Sequence, residues 1–125
     1  MTTYRRVVHE PGGRVLLERA RWCDSFASKL RGLMLRRTLP AGEGLVLVEK
    51  KESRVSTAIH MLFVFFPLGV LWVDGSGEVV DKVLARPWRL SYTPQAPARY
   101  VVEGEPDLLE WVAVGDRILF EEIRD

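Results

Sequence analysis

Hydrophobic and polar positions along this chain alternate in short runs, which predicts a domain built mainly from β-strands. Short runs rich in Val, Leu, Ile and Tyr that are bounded by Gly, Pro or Asp are typical of strands. The predicted strands cover residues 4–8, 15–18, 45–49, 53–59, 68–73, 78–84, 98–103 and 117–123. Segment 68–73 is apolar at every position except Gly69, which indicates a strand covered on both faces. Because the Asp-Gly-Ser-Gly sequence at 74–77 follows it, we predict a β-hairpin there.

Two segments have helical spacing instead. After Asp24 or Ser25, either of which can cap a helix, apolar residues recur at intervals of three and four. These residues are Phe26, Ala27, Leu30 and Met34. A second helix is predicted over 105–113, because Pro106 beside acidic residues favours a helix start. Prolines at 87, 94 and 97 predict that 86–98 is a looped crossing segment.

These elements predict an α+β, mainly β fold: a small twisted sheet curled into a barrel or sandwich, with two short helices. The chain has 125 residues, of which 47% are hydrophobic, and shows no repeat or linker, so we expect a single domain over 1–125. The 18 basic and 17 acidic residues nearly cancel, which argues against a nucleic-acid partner. We expect a monomer or a weak dimer.

The chain contains one cysteine, Cys23, which excludes an intrachain disulfide and suits a reducing, cytoplasmic location. The N-terminal residues lack the pattern of a secretory signal. Segment 58–73 is shorter than a membrane-spanning helix requires and contains Pro67, so we expect no membrane span. The segment is interpreted as buried core, with His60 at its rim.

Several separated fragments occur in an order that resembles the domain of unknown function 192 family, DUF192. The fragments are 31–34 (Arg-Gly-Leu-Met), 59–61 (Ile-His-Met), 72–80, 86–89 (Arg-Pro-Trp-Arg), 100–103 (Tyr-Val-Val-Glu) and 114–117 (Val-Gly-Asp-Arg). No fragment is specific alone, but the ordered set covers nearly the whole chain. The resemblance implies a compact β-rich fold with two short helices and brings no established activity.

The chain departs from the family's pattern at two places. Relatives commonly carry an aspartate where this chain has Gly69, and a small Ala-Gly pair after the glutamate that corresponds to Glu103. Here Gly104, Glu105 and Pro106 follow that glutamate. If the family's aspartate serves a site, this protein has lost it.

Candidate ligand-binding residues are His60, Trp88, Arg89, Tyr92 and Glu103. His60 interrupts an apolar run, where an imidazole needs a hydrogen-bonding partner. It is interpreted either as a site residue or as a structural histidine satisfied by one hydrogen bond. Glu103 ends an apolar strand, and its carboxylate could pair with Arg31, Arg89 or Arg99 to hold a ligand or to lock elements together. Trp88, Arg89 and Tyr92 lie on the proline-rich segment, where they could contact a ligand or seal one end of a barrel.

Other residues are assigned structural roles. Cys23 is expected to be a buried thiol, and Asp116 is expected to serve a turn beside Gly115. Because the other histidine, His9, lies near a terminal turn, no metal site and no cofactor are predicted.

Three hypotheses for function follow from these residues. The first is a non-catalytic domain that binds a small molecule or a protein. The second is a small hydrolase or isomerase with His60 as general base, oriented by Glu103 or Asp116. The third is a structural subunit of an assembly.

Overall fold

The computed structural model describes residues 3–25, 28–29, 32–34 and 36–123. They form a mainly β fold in which seven strands make one curled sheet, a half-barrel, with one short helix. The strands are β1 (Thr3–Glu10), β2 (Arg14–Cys23), β3 (Glu43–Ser53), β4 (Leu68–Val73), β5 (Val79–Ala85), β6 (Ala98–Gly104) and β7 (Arg117–Glu122). The helix, α1, covers Leu108–Trp111.

The strand order in the sheet is β5-β4-β6-β3-β2-β1-β7. Strands β2 and β3 pair in parallel, and all other neighbouring strands of the sheet are antiparallel. A parallel pair requires the connecting segment to cross back to the end of the sheet at which the first strand began. The two edge strands meet at one end, where the Val79 N–H donates to the Asp116 carbonyl at 2.8 Å. This link curls the sheet and places β5 beside β7.

The sheet has a hydrophobic core on each face. The inner core receives side chains from all seven strands and from α1, including Val46, Leu71, Val102 and Ile118. The outer core lies on the opposite face of the central strands and is covered by the segments that connect them. Strand β4 is buried at every residue because its alternate side chains enter the two cores, as the uninterrupted apolar pattern predicted.

Most of the predicted strands are confirmed, and the hairpin between β4 and β5 is confirmed with its turn at 74–77. The strand predicted at 53–59 is wrong. Strand β3 ends at Ser53, whose side-chain oxygen accepts hydrogen bonds from the N–H groups of Val55 and Ser56 and turns the chain. Beyond Ser53, which pairs with Ala98, only Ile59 of that segment forms a bridge, to Tyr92.

The prediction of two short helices is not confirmed. The second predicted helix is present only as the four residues of α1. Of the first predicted helix, Phe26, Ala27 and Leu30 lie outside the described residues, while Ser28 and Lys29 between them have helical backbone. No helix in the described ranges is long and apolar enough to span a membrane.

The prediction for the segment leading into β4 was partly wrong. Leu68–Val73 is buried, but Phe63 and Phe65 are 45% and 49% exposed. The apolar run from 61 to 73 therefore divides between the two cores and the protein surface.

Candidate functional site

A cavity of about 400 Å³ lies on the outer face of β3 and β6. Its described wall is apolar for the most part, with a few polar side chains. The residues that line it are Lys29, Gly32, Leu33, Met34, Leu47, Glu49, Ser56, Thr57, Ala58, Ile59, His60, Val64, Val101 and Glu103. Two of the five candidate residues, His60 and Glu103, are brought together here although they are distant in sequence.

Glu103 is the buried acid of this cavity. In the antiparallel register it lies opposite Leu45 of β3 and Val70 of β4, and it is only 6% exposed. Because side chains alternate along a strand, the Glu103 side chain lies on the same face of the sheet as that of Val101. Both side chains line the cavity on the outer face. Burial raises the pKa of Glu103 to about 7, because the charged form loses its hydration.

Arg21 is the cation that opposes this effect. Its positive charge favours the ionised form of Glu103 and limits the rise in that pKa. The Arg21 guanidinium donates a hydrogen bond to the Gly32 carbonyl at 2.6 Å, while its buried Nε has no partner among the described residues. The pairing predicted for Glu103 involved other arginines. Arg31 lies outside the described residues, and Arg99 instead donates to the Glu49 carbonyl at 3.0 Å.

The mouth of the cavity carries charged and polar side chains. Lys29 and Glu49 form an ion pair with an N to O distance of 3.1 Å, and both line the cavity. His60 is exposed, and its Nδ1 accepts a hydrogen bond from the Leu62 N–H at 3.2 Å. No sequence signal identified Lys29 or Glu49, since neither is marked by a motif.

The other three candidates lie outside the cavity but are connected to it through the backbone. Ile59 and Tyr92 exchange two hydrogen bonds, of 2.9 and 2.8 Å, and Met61 bonds to the backbone of Trp88 and of Arg89, each at 2.8 Å. The residues that flank His60 are therefore paired with the crossing segment. This arrangement fixes the wall of the cavity to the loop that carries the predicted contacts.

Tyr92 and Arg89 hold this loop. The Tyr92 side chain packs against the outer core, and its hydroxyl accepts a hydrogen bond from the Arg86 N–H at 2.9 Å. The Arg89 guanidinium lies 5.6 Å from the centre of the Tyr92 ring, within the range of a cation–π contact. Trp88 instead extends to the surface, where its ring contacts Phe63 and Phe65.

Among the described residues, no carboxylate forms a direct hydrogen bond that orients His60 for acid–base chemistry, although His60 and Glu103 line the same cavity. Both His60 and Glu103 are described, and no hydrogen bond joins them. Asp116 pairs with the other histidine: its Oδ2 lies 2.7 Å from His9 Nε2 and also accepts from the Ala113 N–H at 3.0 Å. These hydrogen bonds lower the pKa of Asp116, with the Ala113 amide making the largest contribution. Sequence reasoning missed this pair because 107 residues separate its members.

The two places at which we expected a departure from the family pattern are in contact with each other. Gly69 pairs with Gly104 in the sheet, and a Cβ atom at Gly69 would lie 2.6 Å from the Glu105 carbonyl oxygen and 3.3 Å from Pro106 Cα. The turn at 104–106 therefore occupies the space that a side chain at position 69 needs.

Cys23 is buried, as predicted, and burial raises the pKa of its thiol. Within the part of the chain that the structure describes, no group of three His, Cys, Asp or Glu side chains could hold a metal ion.

Comparison with known proteins places the chain among uncharacterised proteins. The model of DUF192, described as an uncharacterized ACR, matches residues 7–120. A UPF0127 protein of Thermococcus kodakarensis is 34% identical over 122 residues, which cover 89% of this chain and 76% of the relative. A UPF0127 protein of Thermococcus gammatolerans is 37% identical over 117 residues, covering 92% of this chain and 74% of the relative.

Two solved structures share the fold. A protein from Sinorhizobium meliloti, named as a candidate transcription regulator, has a TM-score of 0.81 at 20% identity over 96% of this chain and 94% of that one. A protein of unknown function from Novosphingobium aromaticivorans has a TM-score of 0.76 at 20% identity over 94% of this chain and 84% of that one. At these identities the likeness concerns the fold alone.

Proposed function

The chain belongs to the DUF192 family of uncharacterised proteins, and from that premise we propose that it is a non-catalytic domain that binds a small molecule in the cavity beside Glu103. The observation that carries the proposal is a buried carboxyl group in the wall of an apolar cavity of about 400 Å³. Cavities of roughly 300 to 1,000 Å³ with apolar walls and a few polar groups are typical of small-molecule sites.

The chemistry of Glu103 indicates which ligands fit. A buried carboxyl needs a hydrogen-bonding partner, and a ligand inside the cavity can supply one. With a pKa of about 7, Glu103 is partly ionised at neutral pH, so it accepts a hydrogen bond from an amine or a hydroxyl group. An anionic ligand is disfavoured, because its charge would lie beside a carboxyl group of the same sign. The ligand class is therefore a compact apolar molecule with one amine or hydroxyl group.

The arrangement of His60 supports binding over catalysis. A general base that acts efficiently is oriented by a second group, and among the described residues the hydrogen bond of the His60 side chain is the one that Nδ1 accepts from the Leu62 N–H. Its exposed position at the mouth suits a contact with the polar end of a ligand. The Lys29–Glu49 pair beside the mouth is net neutral and leaves the entrance without a strong charge.

The experiment uses three probes that share one phenyl ring and differ in their polar group: benzylamine, benzyl alcohol and benzoate. Each is titrated into the ¹⁵N-labelled protein, and amide chemical shifts are followed. We expect benzylamine and benzyl alcohol to shift the amides of Val101, Glu103 and Ile59 with Kd values on the order of 1 mM, as ligand efficiency allows for such small molecules. Benzoate should leave these amides unchanged.

Two variants and one control locate the binding. Glu103→Gln keeps the shape of the side chain and removes its charge, so it should weaken the binding of benzylamine more than the binding of benzyl alcohol. Ala58→Phe places a ring at the cavity wall and should abolish binding of both. Glu110→Gln, on the exposed side of α1, should change neither. Absence of shifts at the cavity with all three probes, or equal shifts in Ala58→Phe, would overturn the proposal.

A further inference from the structure

Four large apolar side chains are exposed on one pair of neighbouring loops. Phe63, Phe65, Trp88 and Leu90, termed here the aromatic surface, are 45%, 49%, 49% and 76% exposed. The Trp88 ring centre lies 5.1 Å from that of Phe63 and 5.8 Å from that of Phe65. The three rings are therefore contiguous, and Leu90 lies two residues after Trp88 on the same loop. A contiguous apolar surface on a folded domain usually marks an interaction site, whereas single exposed apolar residues do not.

The backbone holds two of these rings outward at an energetic cost. Phe63 and Trp88 have φ angles of 60° and 68°, which bulky residues rarely adopt. Such a conformation costs about 1 to 2 kcal/mol for each residue relative to the right-handed region. The hydrogen bond from the Trp88 N–H to the Met61 carbonyl, at 2.8 Å, ties the two loops together next to these residues. The rings are thus displayed by an ordered, strained backbone.

The charge on the same two loops is entirely positive. Residues 54–67 and 86–97 contain Arg54, Arg86 and Arg89, and none of the 17 acidic residues of the chain. Arg86 and Arg89 are both exposed, and in the described part of the chain neither forms an ion pair. The aromatic surface is therefore bordered by arginines without neighbouring carboxylates in its own loops.

We propose that the aromatic surface docks on the surface of an anionic phospholipid bilayer. Aromatic side chains favour the boundary between headgroups and acyl chains, and a cluster of arginines is attracted to anionic headgroups. Leu90 and the two phenylalanines enter the apolar layer, while Arg86 and Arg89 contact lipid phosphates. Docking of this type requires no membrane-spanning helix.

The geometry favours a bilayer over single-stranded nucleic acid. Bases stack on open aromatic faces, whereas here the Trp88 ring packs against two neighbours at interplanar angles of 59° and 60°. The most exposed member of the surface, Leu90, is aliphatic and offers no face for stacking. An acidic protein is attracted by the same arginines, so it is included as an outcome of the test.

The test is flotation of the full chain with vesicles of 70% phosphatidylcholine and 30% phosphatidylglycerol. The protein should float with these vesicles and much less with pure phosphatidylcholine. The double variant Phe65→Ser, Trp88→Gly should reduce the partition coefficient at least tenfold. Glycine is chosen at 88 because it accepts the left-handed backbone, and thermal denaturation followed by circular dichroism verifies folding. Trp111→Ser, which removes another exposed tryptophan from α1, is the matched control and should partition like the parent.

The contribution of charge is measured separately. Arg86→Gln and Arg89→Gln should each weaken binding to the anionic vesicles about fivefold, as expected for a basic side chain near a charged surface. The control pair Arg14→Gln and Arg117→Gln, on β2 and β7, should have little effect. Failure to float with anionic vesicles would overturn the proposal, and so would equal binding by the aromatic variant and its control. Tighter, Trp88-dependent binding to oligouridylate or to polyglutamate would overturn it in favour of a nucleic acid or an acidic protein.

Discussion

Phe63 and Trp88, 25 positions apart, both adopt left-handed backbone conformations, and their ring centres lie 5.1 Å apart. The two conformations arise on loops that are joined by hydrogen bonds between Met61 and the backbone of Trp88 and Arg89. Each loop therefore presents one strained aromatic residue to the other. The contact between the rings compensates part of the cost of the backbone, since an aromatic pair contributes about 0.5 to 1.5 kcal/mol beyond its buried area.

This relationship predicts an unusual order of stability at position 88. Trp88→Ala loses the ring contacts but keeps the strained φ, so it should lower the free energy of unfolding by about 1 to 2 kcal/mol. Trp88→Gly relieves the strain as well and should be the more stable of the two variants. Urea denaturation measures both. The control is Leu90, which lacks a positive φ: the Leu90→Ala variant should be more stable than the Leu90→Gly variant. If Trp88→Ala were likewise more stable than Trp88→Gly, the prediction would be contradicted.

Gly69 should tolerate no side chain. Because a Cβ atom there meets the Glu105 carbonyl at 2.6 Å, Gly69→Ala should destabilise the protein by about 2 to 3 kcal/mol. Gly69→Asp additionally buries a carboxylate and should cost more than about 3 kcal/mol. Gly12→Ala is the control, since a Cβ atom at Gly12 has nothing within 4 Å. The free energy of unfolding is measured by chemical denaturation. If Gly69→Ala were as stable as the Gly12→Ala control, the steric explanation would be disproved.

Glu103 should make stability depend on pH between about 4.5 and 7. Its pKa is raised from 4.5 to about 7, so the folded state binds a proton that the unfolded state has released in this range. Stability contributed by the neutral carboxyl is therefore present below pH 4.5 and is lost as the pH rises to 7. The shift corresponds to about 3 kcal/mol.

The Glu103→Gln variant isolates this effect. Guanidinium denaturation at pH 5, 6, 7 and 8 should show the parent losing stability relative to the variant as the pH rises. If the two stability curves run parallel, Glu103 does not change its protonation on folding in this range.

Asp116 should make the protein less stable as the pH falls, which is opposite to the effect of Glu103. Its pKa is lowered from 3.8 by the Ala113 amide and by His9, so its stabilising effect is present above pH 3.8 and is lost as the pH falls below that value. Asp116→Asn should lower the thermal midpoint at pH 7 and flatten its decline in acid. Asp107→Asn, at an exposed carboxylate, serves as the control and should retain the decline of the parent.

The local pattern of apolar and turn-forming residues was sufficient to predict much of the fold. The uninterrupted apolar run of β4 predicted burial on both faces, because alternate side chains of a strand point to opposite sides. The turn residues 74–77 predicted the hairpin, and the prolines excluded regular structure from the crossing segment. The same reasoning failed at 53–59, where the Ser53 side chain captures backbone N–H groups and ends the strand.

The sequence by itself determined which faces of most strands are buried, since apolar periodicity is local and the hydrophobic effect acts on it wherever the strands lie. It did not separate the exposed Phe63 and Phe65 from the buried residues beside them. Only the tertiary structure decided which distant residues meet: His60 with Glu103 at one cavity, His9 with Asp116, and Phe63 with Trp88. These encounters depend on strand order and register, which arise from pairing between segments far apart in the chain. The local pattern of residues does not specify that pairing. Candidate residues could therefore be chosen from the sequence, but which of them lie together could not be predicted.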